Sequence, residues 1–162
     1  MTIVCEGSHH GLARGHDEEV ITRRTPWVNR RMPPGVLMEK VGRVKYISPD
    51  VLEAMPRGRG QYKTVHLFLV PREINDAELE EEYRRRNMVA ADPYSLIAIN
   101  QRDVYLSNPY ENATHWQGED GEWYALVFRF NGYFPYVGVL KVAGPWPANC
   151  RFAGVVRKGR ES

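Results

Sequence analysis

The stretch that decides the fold runs from Thr114 to Val142 and reads THWQGEDGEWYALVFRFNGYFPYVGVLKV. Two turn signals, Gly118-Glu119-Asp120-Gly121 and Asn131-Gly132, separate runs that are rich in aromatic and β-branched residues. This alternation predicts a three-stranded antiparallel meander. Apolar side chains occupy both faces of the middle strand, which predicts a central strand that is covered on both sides.

The connection between the second and third strands leaves alternatives open. A two-residue turn at Asn131-Gly132 would place Pro135 opposite Phe128, where the ladder needs an N–H that proline lacks. A bulge, an edge position or a wider loop would each remove the conflict. A wider loop would expose an aromatic tip that suits a protein partner, whereas a packed strand would bury the same side chains. The candidate partner-binding residues, which include one tryptophan from the rigid loop at 143–147, are Tyr133, Phe134, Tyr136 and Trp146.

The rest of the chain predicts a mixed architecture. Strands are expected at 36–41, 43–47, 62–70 and 150–156, and helices are expected to begin after Ser48, Asn75 and Asp92. We therefore expect an α+β fold, an antiparallel sheet of about five to six strands with two to three helices packed on it. Residues 1–35 are assigned to an irregular, partly disordered basic arm, residues 36–157 to a single α+β domain, and residues 158–162 to a basic tail.

Composition and charge narrow the class of protein. The 162 residues are 43% hydrophobic and 26% charged, as in an ordinary soluble globular protein. No apolar run approaches a membrane span and no secretory segment follows Met1, so we expect a cytoplasmic protein with reduced thiols and no membrane partner. A disulfide between Cys5 and Cys150 is the alternative. The net charge is +4 over 1–63, −7 over 64–122 and +5 over 123–162, which favours charge-guided association.

Two basic runs suggest nucleic-acid binding as an alternative function. Guanidinium groups suit phosphate oxygens, and an interleaved indole can stack on a base. A solvated loop, or a loop that contacts the acidic helix expected after Asn75, would explain the same pattern. The candidate residues are Arg23, Arg24, Trp27, Arg30, Arg31, Arg57, Arg59 and Lys63.

Catalytic and metal-binding signals are weak. Cys5, His9, His10 and His16 have the chemistry of metal ligands, but their spacing matches no established zinc motif. A hydrolase built on His115, Asp120 and Glu122 lacks the spacing of a catalytic triad or of a metal site. We therefore expect no cofactor and no enzymatic activity.

A resemblance covers residues 68–157. The short segments that carry it, in order, are Glu78-Leu79-Glu80, Ala91-Asp92-Pro93-Tyr94-Ser95-Leu96, Asn112-Ala113-Thr114-His115-Trp116, Asp120-Gly121 with Trp123, and Phe152-Ala153-Gly154-Val155. This pattern resembles uncharacterised small accessory proteins of tailed phages and prophages. The resemblance implies a product that binds and modulates a host protein in the bacterial cytoplasm, such as a defence system or a host enzyme. A homodimer formed through the same aromatic tip is left open.

Overall fold

The structure is a computed structural model that describes residues 20–41 and 43–158, and within 43–47 it describes the backbone alone. The cysteine and histidines at positions 5, 9, 10 and 16 lie outside the described residues. Eight strands and four helices follow one another along the described chain. In chain order they are β1 (Val20–Arg24), α1 (Pro34–Met38), β2 (Arg43–Ile47), α2 (Pro49–Glu53), β3 (Thr64–Val70), α3 (Asp76–Arg85), β4 (Met88–Ala90), α4 (Pro93–Arg102), β5 (Asn112–Gln117), β6 (Trp123–Phe130), β7 (Pro135–Lys141) and β8 (Cys150–Val156).

The strands form one mixed sheet, in the order β1-β3-β8-β5-β6-β7-β2. The short β4 pairs with β8 on the same edge as β5. Two pairs, β5 with β8 and β2 with β7, are parallel, and the other pairs are antiparallel. The predicted α+β class is therefore confirmed, although the sheet has more strands than the sequence indicated. The meander of β5, β6 and β7 and the last strand at 150–156 are confirmed as well.

One face of the sheet is covered by α4, with α1 and α2 beside it. Leu96, Ile97 and Ile99 of α4 are buried against Leu67, Leu126 and other side chains of this face. A buried amide pair also joins helix and sheet, because Asn100 Nδ2 donates to Asn112 Oδ1 at 2.8 Å. Burial of this layer supplies most of the hydrophobic stabilisation on this side.

The opposite face is covered by α3 over β3, β8 and β5. Tyr83 is fully buried there and its hydroxyl donates to Ala153 O at 2.7 Å. A Cβ at Gly154 would lie 3.0 Å from the Tyr83 ring, so glycine lets the helix approach this closely. Asn75 caps α3 through a complete capping box with Glu78, as the sequence predicts.

Two expectations about the N-terminal half are wrong. Residues 36–41, expected as a strand, contain part of α1, because Pro34 supplies a first-turn residue whose φ suits a helix and whose missing N–H costs nothing there. Residues 20–24, expected as part of an irregular arm, form β1 and pair antiparallel with β3. The strand at 43–47 and the helix after Ser48 are confirmed.

Within the part of the chain that the structure describes, no helix is both long enough and apolar enough to cross a lipid bilayer.

Candidate functional site

The loop between β6 and β7 is wider than a two-residue turn. Phe130 pairs with Pro135 and Phe128 pairs with Val137, so residues 131–134 form the connection and Pro135 avoids the position opposite Phe128. The Asn131 side chain organises the loop, because its Oδ1 accepts from the backbone N–H of Tyr133 at 2.8 Å and of Phe134 at 3.0 Å. Of the alternatives considered from the sequence, the wider loop is confirmed.

The four candidate partner-binding aromatics have different environments. Tyr133 is 86% exposed, the largest value among the exposed apolar side chains of the described residues. Phe134 and Tyr136 are half-buried and pack edge to face, with ring centroids 5.3 Å apart. Trp146 is buried, its indole Nε1 donating to Asp76 Oδ1 at 2.9 Å, so it belongs to the core. Only the first three therefore reach the surface.

A groove of about 480 Å³ lies between this loop and the chain after β7, and we name it the β6–β7 groove. Its floor is the part of the sheet face that α3 does not cover, and Val127, Leu140 and Val142 are only half-buried there. Residues 143–147 form one wall, held in place because Ile74 and Trp146 exchange two backbone hydrogen bonds. An ion pair between Arg129 and Glu111, at 2.6 Å, gives the groove a polar end.

The structure also brings the two basic runs together. Strand β1 pairs with β3 in a register that sets Arg24 opposite Thr64. Beyond the strands, Thr25 N donates to Lys63 O at 2.8 Å and Val28 N donates to Gln61 O at 3.0 Å. Residues 23–31 and 57–63, separate in sequence, therefore form one surface, which we name the basic surface.

Two of its arginines are used inside the protein. Arg30 donates to Asp92 Oδ1 at 2.8 Å and to the carbonyl oxygens of Gly60 and Arg57 at 2.5 and 2.7 Å. Arg57 in turn donates to the carbonyl oxygens of Arg30 and Arg31, both at 3.1 Å. Arg30 is half-buried and fastens loops to the start of α4, whereas Arg57 is exposed and ties its loop to Arg30 and Arg31.

The other basic side chains are exposed or weakly engaged. Arg23 lies 3.4 Å from Asp103, and Arg24 lies over the Tyr62 ring at 5.6 Å. Both line a cavity of about 430 Å³ together with Arg102. The Trp27 side chain is 54% exposed and that of Tyr62 is 50% exposed. Arg31 and Arg59 are exposed, and Lys63 is half-buried.

Buried under α3 is a charged cluster centred on His115, which we name the His115 cluster. Its Nδ1 lies 2.6 Å from Asp76 Oδ1 and its Nε2 lies 2.7 Å from Glu80 Oε2. The ring stacks on Trp123 with centroids 4.3 Å apart and planes at 18°. Asp76 and Glu80 stand four residues apart on α3, so one face of the helix presents both carboxylates to β5.

The cluster favours a protonated histidine. Burial of the His115 ring lowers its pKa, but the hydrogen bonds to Asp76 and Glu80 raise it more, and the resulting pKa lies above 6.5. The same hydrogen bond lowers the pKa of Glu80 below 4.5. Because both ring nitrogens are engaged with carboxylates, His115 has neither a lone pair for a metal nor a nitrogen directed at a substrate. The arrangement ties α3 to the sheet.

The other candidate catalytic residues are placed apart from this cluster. Asp120 accepts from the Tyr124 hydroxyl at 2.5 Å, and Glu122 lies 3.7 Å from Lys141. Within the described residues, no group of three or more histidine, cysteine, aspartate or glutamate side chains is arranged to hold a metal ion.

Searches of protein-family models, of curated protein sequences and of solved structures each returned no significant match to this chain.

Sequence reasoning missed two features of these sites. The carboxylate partners of His115 lie 35 and 39 residues away, and the spacing of Asp76 and Glu80 on one helical face is the signal that could have suggested them. The β6–β7 groove was missed because its apolar floor has the sequence of a buried strand. Whether a neighbouring element covers that floor depends on tertiary packing, which the residues of the strand do not reveal.

Proposed function

We propose that this protein binds another protein through the β6–β7 groove and the adjoining aromatic tip, and that it acts without catalysis. The observation that carries the proposal is the uncovered half of the sheet face, where Val127, Leu140 and Val142 are half-buried in a groove that Asn131 also lines. Asn131 begins the loop that carries Tyr133, whose side chain is 86% exposed. Aromatic anchors next to a concave apolar floor are typical of protein–protein hot spots.

The chemistry of the groove indicates what the partner presents. The floor requires apolar side chains, while the Arg129–Glu111 pair at one end can exchange hydrogen bonds with a polar flank. The resemblance of residues 68–157 to small phage proteins supports a host protein of the bacterial cytoplasm as this partner. The structural use of His115 supports a function without catalysis.

The test compares two tyrosines of similar size on different surfaces. Affinity purification from bacterial lysate, followed by mass spectrometry, is expected to yield a specific protein with the wild type and with Tyr62→Ala but not with Tyr133→Ala. Titration of the purified partner should then show binding that Tyr133→Ala weakens at least about tenfold. Because Tyr133 packs against little, Tyr133→Ala should change the free energy of unfolding by less than about 0.5 kcal/mol.

Two results would count against protein binding at the groove. One is repeated purification that returns no specific protein. The other is a partner captured equally by wild type and Tyr133→Ala. Sedimentation of the purified protein tests for a homodimer. A dimer that Tyr133→Ala dissociates would show that the tip binds a second copy of this chain.

Nucleic-acid binding is the second candidate, and the assembly of residues 23–31 and 57–63 into the basic surface favours it. Tyr62 and Trp27 are exposed beside Arg24 and can stack on bases, while the arginines contact phosphates. Binding of single-stranded oligonucleotides should weaken with salt, and each lost phosphate contact should lower the slope of log K against log salt by about 0.7. Arg24→Gln and Tyr62→Ala should reduce binding, whereas Tyr133→Ala should not. Failure to retain DNA or RNA at low salt would exclude this function.

A further inference from the structure

A cleft lies beside Trp116, near the end of β6 that is remote from the aromatic tip, and we name it the Trp116 cleft. It consists of two adjoining cavities of about 500 and about 340 Å³, and Pro56, Trp116 and Gln117 line both. Strand β6 runs from Trp123, which lines the cleft, to Phe130, which borders the aromatic tip. The cleft is therefore a separate surface from the β6–β7 groove.

Aromatic rings form the walls of both cavities. In the larger cavity Trp116 and Tyr124 are stacked, with centroids 6.4 Å apart and planes at 26°. In the smaller cavity the half-buried Trp123 lies against His115, which fixes the orientation of the indole. The faces of such rings attract cations and pack against aliphatic stems.

Carboxylates line both cavities. Asp50, Glu119 and Asp120 line the larger cavity, where the Tyr124 hydroxyl donates to Asp120. In the smaller cavity Glu80 pairs with His115 and Asp92 pairs with Arg30, so the unpaired negative charge of the cleft lies on Asp50 and Glu119. Among the residues that line the two cavities there is no lysine or arginine. An aromatic cleft with this charge is complementary to a cationic ligand that has an apolar stem.

We propose that the Trp116 cleft binds an extended segment of a partner protein that carries arginine or lysine side chains. The aliphatic stem lies on the Trp116 indole and the charged head reaches the carboxylates of Asp50 and Glu119. The two cavities share Pro56, Trp116 and Gln117, so one peptide segment can contact both. Arginine fits better than lysine, because its planar guanidinium stacks on aromatic rings and pairs bidentately with carboxylates.

Matched peptides test this site without knowledge of the natural partner. The probe is the acetylated and amidated peptide GSRSRSRSG, and its control replaces each arginine with citrulline, which has the same shape without the charge. Calorimetric titration at low salt should show saturable binding of the arginine peptide and binding at least about tenfold weaker for the citrulline peptide.

Paired variants locate the binding in the cleft. The double variant Asp50→Asn/Glu119→Gln should weaken the arginine peptide about tenfold, because it removes the two carboxylates that face the guanidinium heads. The double variant Glu73→Gln/Glu81→Gln changes the net charge equally at exposed positions outside the cleft and should bind as the wild type does. Trp116→Leu should weaken binding while the charge is unchanged.

Three results would overturn the inference. Equal binding of the citrulline peptide would show that the cationic head is not recognised, and equal loss in both double variants would show attraction by net charge alone. A concentration-dependent dimer that Asp50→Asn/Glu119→Gln abolishes would assign the cleft to the basic surface of a second copy. Tyr133→Ala should bind the peptide normally, so failure at the Trp116 cleft and failure at the β6–β7 groove are distinguishable.

Discussion

One face of the sheet has two halves that differ in what covers them. Over β3, β8 and β5, helix α3 excludes water, and its buried side is joined to the sheet by Tyr83 and by the His115 cluster. Over β7 and the second half of β6 the apolar floor, with Val127, Leu140 and Val142 half-buried, opens into the β6–β7 groove. Strands of similar composition therefore serve stability in one half and remain available to a partner in the other.

The difference follows from where α3 lies on the sheet. Helix α3 has 10 residues, which at about 1.5 Å per residue gives about 15 Å. Asn75 fixes its start and the Glu82–Arg86 ion pair lies near its end. Its side chains contact Phe68 of β3, Ala153 of β8 and His115 of β5, and the groove lies beyond this part of the sheet.

The largest loss in the free energy of unfolding is expected when a side chain under α3 is removed. Tyr83→Ala should reduce the free energy of unfolding by about 3–5 kcal/mol, because it leaves a cavity and removes the buried hydrogen bond from the Tyr83 hydroxyl to Ala153 O. Leu140→Ala in the open half should cost about 1 kcal/mol, since less apolar area is lost from the interior. Urea unfolding followed by circular dichroism measures both, and equal costs would contradict the contrast between the halves.

The His115 cluster supplies the next largest effect. His115→Phe keeps a ring on Trp123 but removes both hydrogen bonds and leaves Asp76 without its buried cation. The expected loss is about 2–3 kcal/mol, below that for a fully buried pair because Glu80 is partly exposed and water can replace its contact. His66→Phe is the matched control on β3 and should cost less than about 1 kcal/mol. A loss for His115→Phe no greater than the control would show that hydrophobic contact alone holds α3.

The same cluster should make stability depend on pH. Since the pKa of His115 is raised above 6.5 in the folded protein, its contribution is fully present below pH 6.5 and is lost as pH rises through the folded value. Since the pKa of Glu80 is lowered below 4.5, its contribution is present above pH 4.5 and is lost on further acidification. The difference in unfolding free energy between wild type and His115→Phe should therefore be largest between about pH 4.5 and 6.5. A difference that is constant from pH 5 to 9 would contradict a charged His115.

The smallest effect is expected at the tip of the open half. Asn131→Ala removes the acceptor for the N–H groups of Tyr133 and Phe134 and should cost about 0.5–1 kcal/mol, because water replaces those bonds at an exposed loop. Asn131→Asp keeps an acceptor oxygen and should restore stability. If the loop orients Tyr133 for a partner, Asn131→Ala should also weaken partner binding, and unchanged binding would separate the loop geometry from recognition.

Local signals predicted much of the fold. The capping box at Asn75 and Glu78, the Asp92-Pro93 helix start and the apolar runs of β6 and β8 are all readable from neighbouring residues. Strand β1 could not be read in this way, because only Ile21 among its residues is even half-buried and the strand depends on hydrogen bonds to β3. Residues 36–41 have the composition of a strand, but Pro34 in the first turn favours a helix.

The sites were less predictable, because they depend on contacts between distant segments. Arg30 and Arg57 have the composition of a nucleic-acid motif, yet Arg30 fastens loops to α4 and Arg57 donates to the carbonyl oxygens of Arg30 and Arg31. Trp146, in a proline-rich loop, was predicted among the partner-binding residues. Its indole N–H donates to Asp76 instead, and the side chain lies in the core. Tyr133 was predicted among the binding residues, and the wide loop at 131–134 places it at the surface.

The position of β8 has a consequence for biosynthesis. This strand is the last along the described chain, and it alone joins β1 and β3 to the strands from β5 onward. While residues 150–156 remain in the ribosomal tunnel, the two parts of the sheet have no common neighbour and their inner edges are unpaired. The nascent chain can therefore form the meander of β5, β6 and β7 first, but the sheet becomes continuous only after residues 150–156 have left the tunnel.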